Sequence, residues 1–399
     1  MFKGRRPIDN IGLMSLTDQS INAGVPRSSS DTDLIAWLRL THCTALKPAQ
    51  LIALLKVVGS PQAIIEAAKH SPQSLNLSAV ALSAISNPAN REVAWVDAAM
   101  DWQACNGNRI VTLSDASYPA HLLDVGSPPP LLYVAGRIDM LGLDAIGVIG
   151  SRQCTAAGIG NAHAFAQALA QAGLCIVSGM AAGIDAAAHT GALSVGGATV
   201  GVLGTGIDFN YPKINARLFA QMREQGCLIS EHPLGTPPLR EHFPRRNRLI
   251  AGLGLGVLVV EAAKQSGSLI TAKQAINVNR EVFAIPGSIH SPVSKGCHQL
   301  IREGAKLVES AQDILEEIRF TPQTSASKLP GGSLTCAAPP TALDSTSIWY
   351  QWLGFDPISP DDLSARSGIQ LEEWLVILGD LEANGGIVRH LDGRVTRCN

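Results

Sequence analysis

Residues 175–203, CIVSGMAAGIDAAAHTGALSVGGATVGVL, contain the pattern that decides the fold class. The apolar run Cys175–Ser178 is followed by a turn of glycine and alanine, an alanine-rich stretch, and a second apolar run at Thr199–Leu203. Short apolar runs are typical of buried strands, and small residues between them permit tight turns from strand to helix. The stretch therefore predicts a strand, a helix and a second strand.

The same alternation extends to both sides of this stretch. Two short strands are expected at Ile110–Leu113 and Leu131–Val134. The other predicted strands are Ala145–Ile149, Cys175–Ser178, Thr199–Leu203, Cys227–Ser230, Val257–Val260 and Glu281–Ile285. Strands this apolar, separated by helical patterns, indicate an α/β fold with a parallel sheet that helices cover on both faces.

Patterns outside the strands divide the chain into five expected parts. Residues 1–31 lack a sustained period and predict a loose arm, whereas residues 32–104 have helical spacing and predict a small helical domain. Residues 105–319 hold the sheet. The stretch 320–343, rich in Pro, Ser, Thr and Gly, is expected to be a linker. Residues 344–399 predict three short helices and a hairpin, the pattern of a winged helix.

The composition excludes several classes of protein. With 46% hydrophobic residues, 16% charged residues and a formal net charge of -2, the chain is neither fibrous nor fully disordered. Its longest apolar run, Leu249–Val260, is short of the roughly 20 residues that span a bilayer, and no secretory signal is visible, so we expect no membrane insertion. The 8 cysteines include no Cys-x-x-Cys pair, so a reduced, cytoplasmic protein without a zinc site is expected.

The carboxyl ends of the predicted strands are the expected binding region. Ligands of open parallel sheets bind there, because helix N-termini supply free N–H groups. Arg152 follows one strand and Lys213 begins the helix after another, where both suit phosphate, although a capped turn with a surface arginine and an ordinary surface lysine are the alternatives. The candidates at these strand ends are Gly150, Ser151, Arg152, Ser178, Gly179, Lys213, Asn215, Ser268 and Lys295.

The segment Arg240–Arg248 is the most informative single part of the sequence. It contains four arginines and a phenylalanine against one glutamate, a mixture that suits phosphates and stacked bases. A solvated charged face is the alternative, but the apolar residues Leu249–Gly252 follow directly and anchor the segment to the core. The candidates here are Phe243, Arg245, Arg246, Asn247 and Arg248.

Familiar catalytic patterns are missing from the sequence. There is no G-x-G-x-x-G with an acidic ribose ligand, no Walker A lysine, no H-E-x-x-H and no G-x-S-x-G elbow. Asp185 and His189, four residues apart on a predicted helix, are expected to be an intrahelical pair that stiffens the helix. We therefore expect no enzyme activity, no cofactor and no metal.

Seven segments, taken together and in order, resemble the DprA/Smf family over roughly residues 118–308. They are Gly150–Arg152, Ser178–His189, Gly204–Asn215, Ser230–Pro233, Phe243–Gly252, Ser266–Ala272 and Pro286–Gly287. The resemblance implies an extended Rossmann-like central domain that binds single-stranded DNA, forms a homodimer and loads RecA onto incoming strands in natural transformation. It also implies an N-terminal helical domain of the SAM or helix-hairpin-helix kind and a C-terminal winged helix.

The resemblance further implies which residues contact DNA. Arg152 and Lys213 match positions that resemble the family's DNA contacts, and Phe243, Arg246, Asn247 and Arg248 match its Phe-Pro-x-Arg-Asn-Arg segment. Two positions depart from the family pattern: Gly254 stands where serine is usual and His298 where asparagine is usual.

Two other functions remain open on the sequence. The first is a nucleotide-processing enzyme similar to the phosphoribohydrolases that activate cytokinins, but Pro286–His290 lacks their Pro-Gly-Gly-x-Gly-Thr turn. The second is a ligand-sensing transcription regulator that uses the winged helix. Residues 344–399 carry 4 Lys and Arg against 9 Asp and Glu, so this part is expected to bind phosphates poorly.

Overall fold

The structure is a computed structural model that describes residues 31–320, 349, 352–353, 357–383, 385–390 and 392–397. The chain divides into two compact units. The larger comprises Met1–Cys154 and Ala162–Thr321, and the smaller comprises Thr155–Asn161 and Pro322–Asn399. Among the described residues, no single helix is long and apolar enough to cross a membrane; Pro48–Val58 and Pro61–His70 meet that test only as a pair, bent by 89°.

Five helices begin the larger unit: α1 Asp31–His42, α2 Pro48–Val58, α3 Pro61–His70, α4 Ala79–Ser86 and α5 Asn90–Gln103. Ser60 and Ser78 fix the starts of α3 and α4, because each hydroxyl accepts the backbone N–H three residues later. The last residue of α1, His42, reaches the sheet, where its Nε2 lies 2.8 Å from the hydroxyl of Tyr133. Burial lowers the pKa of His42 to about 4.

Nine strands form one sheet in the larger unit: β1 Asn108–Thr112, β2 Leu131–Gly136, β3 Ala145–Ile149, β4 Cys175–Ser178, β5 Thr199–Val202, β6 Cys227–Ser230, β7 Gly256–Val259, β8 Glu281–Ala284 and β9 Lys306–Leu307. Their order is β1-β2-β6-β5-β4-β3-β7-β8-β9. Strands β3 to β9 pair in parallel, whereas β2 is antiparallel to both β1 and β6.

Helices cover both faces of this sheet: α6 Ala156–Gln171, α7 Ile184–Ser194, α8 Ala216–Gln225, α9 His242–Leu253, α10 Gly267–Asn277, α11 Lys295–Glu303 and α12 Ala311–Glu317. Alternate residues of β3 face opposite cores: Ala145 and Ile149 pack with the apolar residues of α9, α10 and α11, whereas Ile146 and Val148 pack with those of α6, α7 and α12. Helices α1, α5 and α8 share a third core with Tyr133 and its neighbours.

The α/β fold and the two covered faces are therefore confirmed. The parallel sheet is confirmed for β3 to β9, and β1 and β2 extend it in antiparallel fashion. The strand β9 was not predicted; it has only two residues, both exposed. The expected boundary near residue 104 stays a prediction.

The smaller unit contains α13 Pro360–Ser367, α14 Leu371–Ala383 and the antiparallel hairpin β10 Ile387–Arg389 with β11 Val395–Arg397. Its core gathers around the fully buried Trp374, whose indole Nε1 donates to Ser367 Oγ at 2.6 Å. The hairpin turns at Gly393, where φ is +83°. The winged-helix prediction is confirmed. The first of the three expected helices, at Trp349–Leu353, lies partly outside the described residues, because residues 350 and 351 are not described.

Candidate nucleic-acid interface

The candidate site lies along one edge of the sheet, which we call the strand-end edge. Strands β3, β4, β5 and β6 are parallel neighbours, so their carboxyl ends meet along this edge. The predicted residues Arg152 and Gly179 follow β3 and β4, and helix α9 begins over the end of β5. The topology therefore brings together loops that are far apart in sequence.

An arginine and two aromatic rings form a cluster on this edge, which we call the Phe243 platform. The Arg152 guanidinium carbon lies 5.4 Å from the centroid of the Phe243 ring, within the range of a cation–π contact. The Tyr211 ring packs against Phe243 at a tilt of 40°, with 5.6 Å between the ring centroids. Arg152 and Tyr211 are exposed and Phe243 is half-buried, so a cationic and aromatic surface faces solvent.

Gly204 determines how closely Phe243 approaches the sheet. A Cβ at position 204 would lie 3.0 Å from Phe243 Cδ1, so a larger residue there requires the ring to shift by a few tenths of an ångström from its place over the end of β5. Beyond the platform, Lys213 is exposed and its neighbour Ile214 is 81% exposed. The loop after β5 therefore adds a charge and an apolar side chain beside the rings.

Arg246 is not on this surface, which corrects the expectation of a direct phosphate contact. Its side chain is buried, and Nη1 donates to the carbonyl oxygens of Gly179, at 2.6 Å, and of Val202. Its Nε donates to Asn247 Oδ1 at 3.1 Å. Burial lowers the pKa of Arg246 to about 10, against the opposing effect of the Asp185 carboxylate. Arg246 thus ties α9 to the ends of β4 and β5.

Asp185 supplies the counter-charge from the other side of the same loop. Its Oδ2 accepts the backbone N–H groups of Gly179, at 3.1 Å, and Ala181, at 3.3 Å. Burial raises the pKa of Asp185, while Arg246 and these hydrogen bonds lower it. The turn after β4 is therefore held by a buried arginine and a buried carboxylate.

The expected pair between Asp185 and His189 is not seen, because each side chain has other partners. His189 is buried, and its Nδ1 lies 2.7 Å from the hydroxyl of Thr199. That hydroxyl donates to the Ile176 carbonyl at 2.9 Å, so Nδ1 is the protonated nitrogen that donates to it. Burial, followed by the charge of Arg246, lowers the pKa of His189 to about 3.

The other two arginines of the segment differ in their surroundings. Arg248 is 19% exposed and forms an ion pair with Glu231, which is 11% exposed and follows β6. Arg245 is exposed and has no ion-pair partner within residues 31–320. Arg245 is therefore free to bind an anion, whereas an anion at Arg248 competes with a carboxylate.

Three further candidates hold the loops of the strand-end edge instead of facing solvent. Ser268 is buried, and its hydroxyl donates to the Gly150 carbonyl at 3.0 Å. The buried Ser178 hydroxyl donates to the Val148 carbonyl at 2.6 Å. The Asn215 amide donates to two carbonyls of the turn after β4, Met180 at 2.9 Å and Ala181 at 3.1 Å. These side chains orient the backbone on which the exposed residues stand.

The remaining candidates lie closer to the surface. Gly150 and Ser151 are half-buried in the turn before Arg152, and the Ser151 hydroxyl donates to the Gln153 carbonyl at 2.9 Å. Lys295 begins α11 and donates to the Ile289 carbonyl, so its amine already has a partner.

Tyr211 was not among the candidates. Its signal in the sequence was an aromatic residue in the loop between β5 and α8.

The chain is similar to known proteins over most of its length. The family model of DNA recombination-mediator protein A matches residues 109–319, and that of the DprA winged helix domain matches residues 335–397. The chain is 36% identical over 361 residues to Protein Smf of Escherichia coli K12, covering 90% of this chain and 93% of that protein. It is 48% identical over 209 residues to DNA processing protein DprA of Streptococcus pneumoniae R6, covering 52% of this chain and 74% of that protein.

A solved structure is similar as well. The X-ray structure of DNA processing protein A from Streptococcus pneumoniae superposes with a TM-score of 0.59 at 36% sequence identity. The match covers 74% of this chain and 100% of that one. The likeness therefore extends beyond the segments that carry the sequence motifs.

Proposed function

We propose that this chain, which belongs to the DNA recombination-mediator protein A family, binds single-stranded DNA along the strand-end edge. The Phe243 platform is the observation that carries this proposal. Single-strand binders combine a cationic groove with aromatic faces on which bases stack. Arg152, Tyr211 and Phe243 offer both features, at the sheet edge where open α/β folds bind ligands.

Three exposed cations supply the phosphate contacts of this proposal. Arg152 stands at the platform, Lys213 follows Tyr211, and Arg245 lies two residues beyond Phe243. None of the three has a carboxylate partner within residues 31–320. The counterions that surround them in solution are released when phosphates bind, so the affinity is expected to depend on salt.

We infer that the strand-end edge has no catalytic function. The titratable groups buried behind it, Asp185 and His189, are bonded to backbone amides and to Thr199. With its pKa lowered to about 3, His189 is a weak base at neutral pH. These groups are suited to holding loops, not to transferring protons.

RecA loading and homodimer formation complete the proposal, and both are supported by family membership. RecA loading predicts that the protein accelerates RecA filament formation on DNA coated with a single-strand-binding protein. An Arg152→Ala variant loses this effect if the strand must lie on the platform. Light scattering is expected to give twice the chain mass.

A salt series of oligonucleotide binding tests the proposed function. Each phosphate contact on a single strand contributes a slope of about -0.7 in log affinity against log salt, so three contacts predict about -2. Arg152→Ala is expected to reduce the slope by about 0.7. The matched control is Arg109→Ala, because Arg109 is an exposed arginine at the start of β1, on the opposite side of the sheet. A wild-type slope near zero contradicts the proposal.

A further inference from the structure

A cleft of about 370 Å³ lies beside the Phe243 platform, within the larger unit. It opens between the first turns of α9 and the loop Ser127–Pro130, which leads into β2. Its volume is within the roughly 300–1,000 Å³ of small-molecule sites. We call it the proline cleft.

One wall of the proline cleft is formed by prolines. Pro128, Pro129 and Pro130 line it together with Pro48, the first residue of α2. Proline has no backbone N–H and a fixed φ, so this wall is rigid and offers no donor from its nitrogens. The proline wall therefore suits a flat apolar group of a ligand. Pro48 also makes the N-terminal helices part of the cleft.

The opposite wall is polar and carries two arginines together with the Glu231 carboxylate, which is paired with Arg248. Arg245 and Arg248 line it three residues apart on α9, and such residues are neighbours on a helix surface. Gln274 of α10 lines the same wall, and its amide nitrogen donates to the Pro244 carbonyl at 3.4 Å. A ligand with an anionic end and a flat apolar end matches these two walls.

Unsatisfied polar atoms belong to the same wall. Glu231 Oε1, Arg248 Nη1 and Gln274 Oε1 are buried and have no hydrogen-bond partner among the described residues. Buried polar atoms in proteins nearly always have a partner. The two oxygens are acceptors that need an N–H group or a water molecule, and Arg248 Nη1 is the donor among the three, so this wall has room for further hydrogen bonds of both kinds.

The proline cleft lies in line with the Phe243 platform. Arg152 follows β3, Phe243 covers the end of β5, Glu231 follows β6, and Pro130 precedes β2, in the spatial order of these strands. Adjacent strands are about 4.8 Å apart, so β3 to β2 spans about 19 Å. A strand of a few nucleotides covers this distance.

We propose that the proline cleft holds one nucleotide of the same single strand, with its phosphate on Arg245, whose charge is not paired within residues 31–320, and its base against the prolines. This inference rests on the proposed function. It adds a second binding position, and it makes Pro48 of the N-terminal helices a contact of the DNA.

A thymidylate dinucleotide, which is too short to span the distance from the platform to the cleft, and an oligothymidylate of about 16 nucleotides, the upper end of the site sizes of single-strand binding folds, test the inference. Arg245→Ala is expected to weaken binding of the long oligonucleotide roughly three- to tenfold and to reduce its salt slope by about 0.7. It leaves binding of the dinucleotide unchanged, because two nucleotides do not reach from the platform to Arg245 in the cleft. Arg152→Ala weakens both, and Arg109→Ala weakens neither.

The outcomes separate the two proposals. If Arg245→Ala weakens binding of both oligonucleotides equally, or of neither, the proposed role of the proline cleft is wrong, whereas the proposal of single-strand binding is unaffected. Failure of the wild-type protein to bind either oligonucleotide overturns both. A second measurement uses Ser127→Cys, since Ser127 lines the cleft. The long oligonucleotide slows its alkylation and the short one does not, with the exposed native Cys105 as internal reference.

Discussion

The guanidinium of Arg246 lies directly over Gly179, whose carbonyl it binds at 2.6 Å. A Cβ on residue 179 would come within 2.5 Å of Arg246 Nη1. The arginine is held by a second carbonyl, that of Val202, and by the charge of Asp185, so it has little freedom to move away. The strand-end edge therefore depends on a glycine and a buried arginine that fit each other.

Gly179→Ala is expected to destabilise the protein by about 1–3 kcal/mol, because the added methyl displaces the Arg246 guanidinium. Urea unfolding measures this change. Gly160→Ala is the matched control, since a Cβ there meets no atom within 4 Å and alanine favours the helix α6. Equal stability of the Gly179 variant and the wild-type protein would show that Arg246 moves at no cost.

Phe243→Ala is expected to weaken single-strand binding by about 1–3 kcal/mol, the usual effect of losing an aromatic face from one base. At tenfold per 1.4 kcal/mol this corresponds to roughly a 5- to 150-fold change in Kd, measured by fluorescence anisotropy. Ile270→Ala, which removes an exposed apolar side chain from α10, is the control and leaves Kd unchanged. Unchanged affinity in the Phe243 variant argues against base stacking at the platform.

The free energy of unfolding is expected to fall as the pH decreases below 6.5. Burial lowers the pKa of His189 to about 3 and those of His42 and His232 to about 4. Between these values and 6.5 the unfolded chain binds protons that the folded chain does not, so each histidine's contribution is complete above pH 6.5 and is lost toward its folded pKa. The slope approaches about 1.4 kcal/mol per pH unit for each histidine.

His189→Gln checks this pH dependence. Urea unfolding between pH 6.5 and 5 is expected to show a slope smaller by up to about 1.4 kcal/mol per pH unit than in the wild-type protein. The pKa of Asp185, raised by burial, acts in the opposite direction, but it is present in both proteins. Identical slopes would mean that His189 is not held neutral in the folded state.

The winged helix is expected not to bind duplex DNA. Its helix α14 carries Glu372, Glu373, Asp380 and Glu382, and the wing arginines Arg389 and Arg394 are paired with Glu382 and Asp392. When this helix approaches DNA, its carboxylates repel the phosphates, and the wing arginines bind a phosphate only by giving up their ion pairs. Removing residues 321–399 is expected to leave affinity for duplex and single-stranded oligonucleotides unchanged within about twofold in anisotropy titrations at low salt. A larger loss for duplex DNA contradicts this reading.

Much of the fold was predictable because burial leaves a direct mark on sequence. Strands β3 to β8 are apolar runs, and their predicted bounds differ from the observed ones by at most one residue at each end. The direction of a strand relative to its neighbours does not show in its composition, so the sequence did not predict the antiparallel pairing of β2 with β6. The strand β9, with two exposed residues, has too little burial to be visible.

The binding site was predicted less completely, because charge in the sequence does not say where a side chain points. Arg246 is followed by Leu249, Ile250 and Leu253, all buried, at the spacing of one helix face. This helical spacing of buried residues is the feature of the sequence that indicates an inward-facing Arg246. The partners of Asp185 are backbone amides of a turn, which no pattern of side chains reveals.

The contact between His42 and Tyr133 makes the N-terminal helices part of the wall of the sheet domain. A fragment that begins at residue 105 would leave Tyr133 and Phe219, both fully buried in the whole protein, on a core that has lost Leu34, Leu38 and Val96. Such a fragment would expose apolar side chains to solvent and would be prone to aggregate. Anyone dissecting this protein should therefore cut after residue 320 and keep the first five helices.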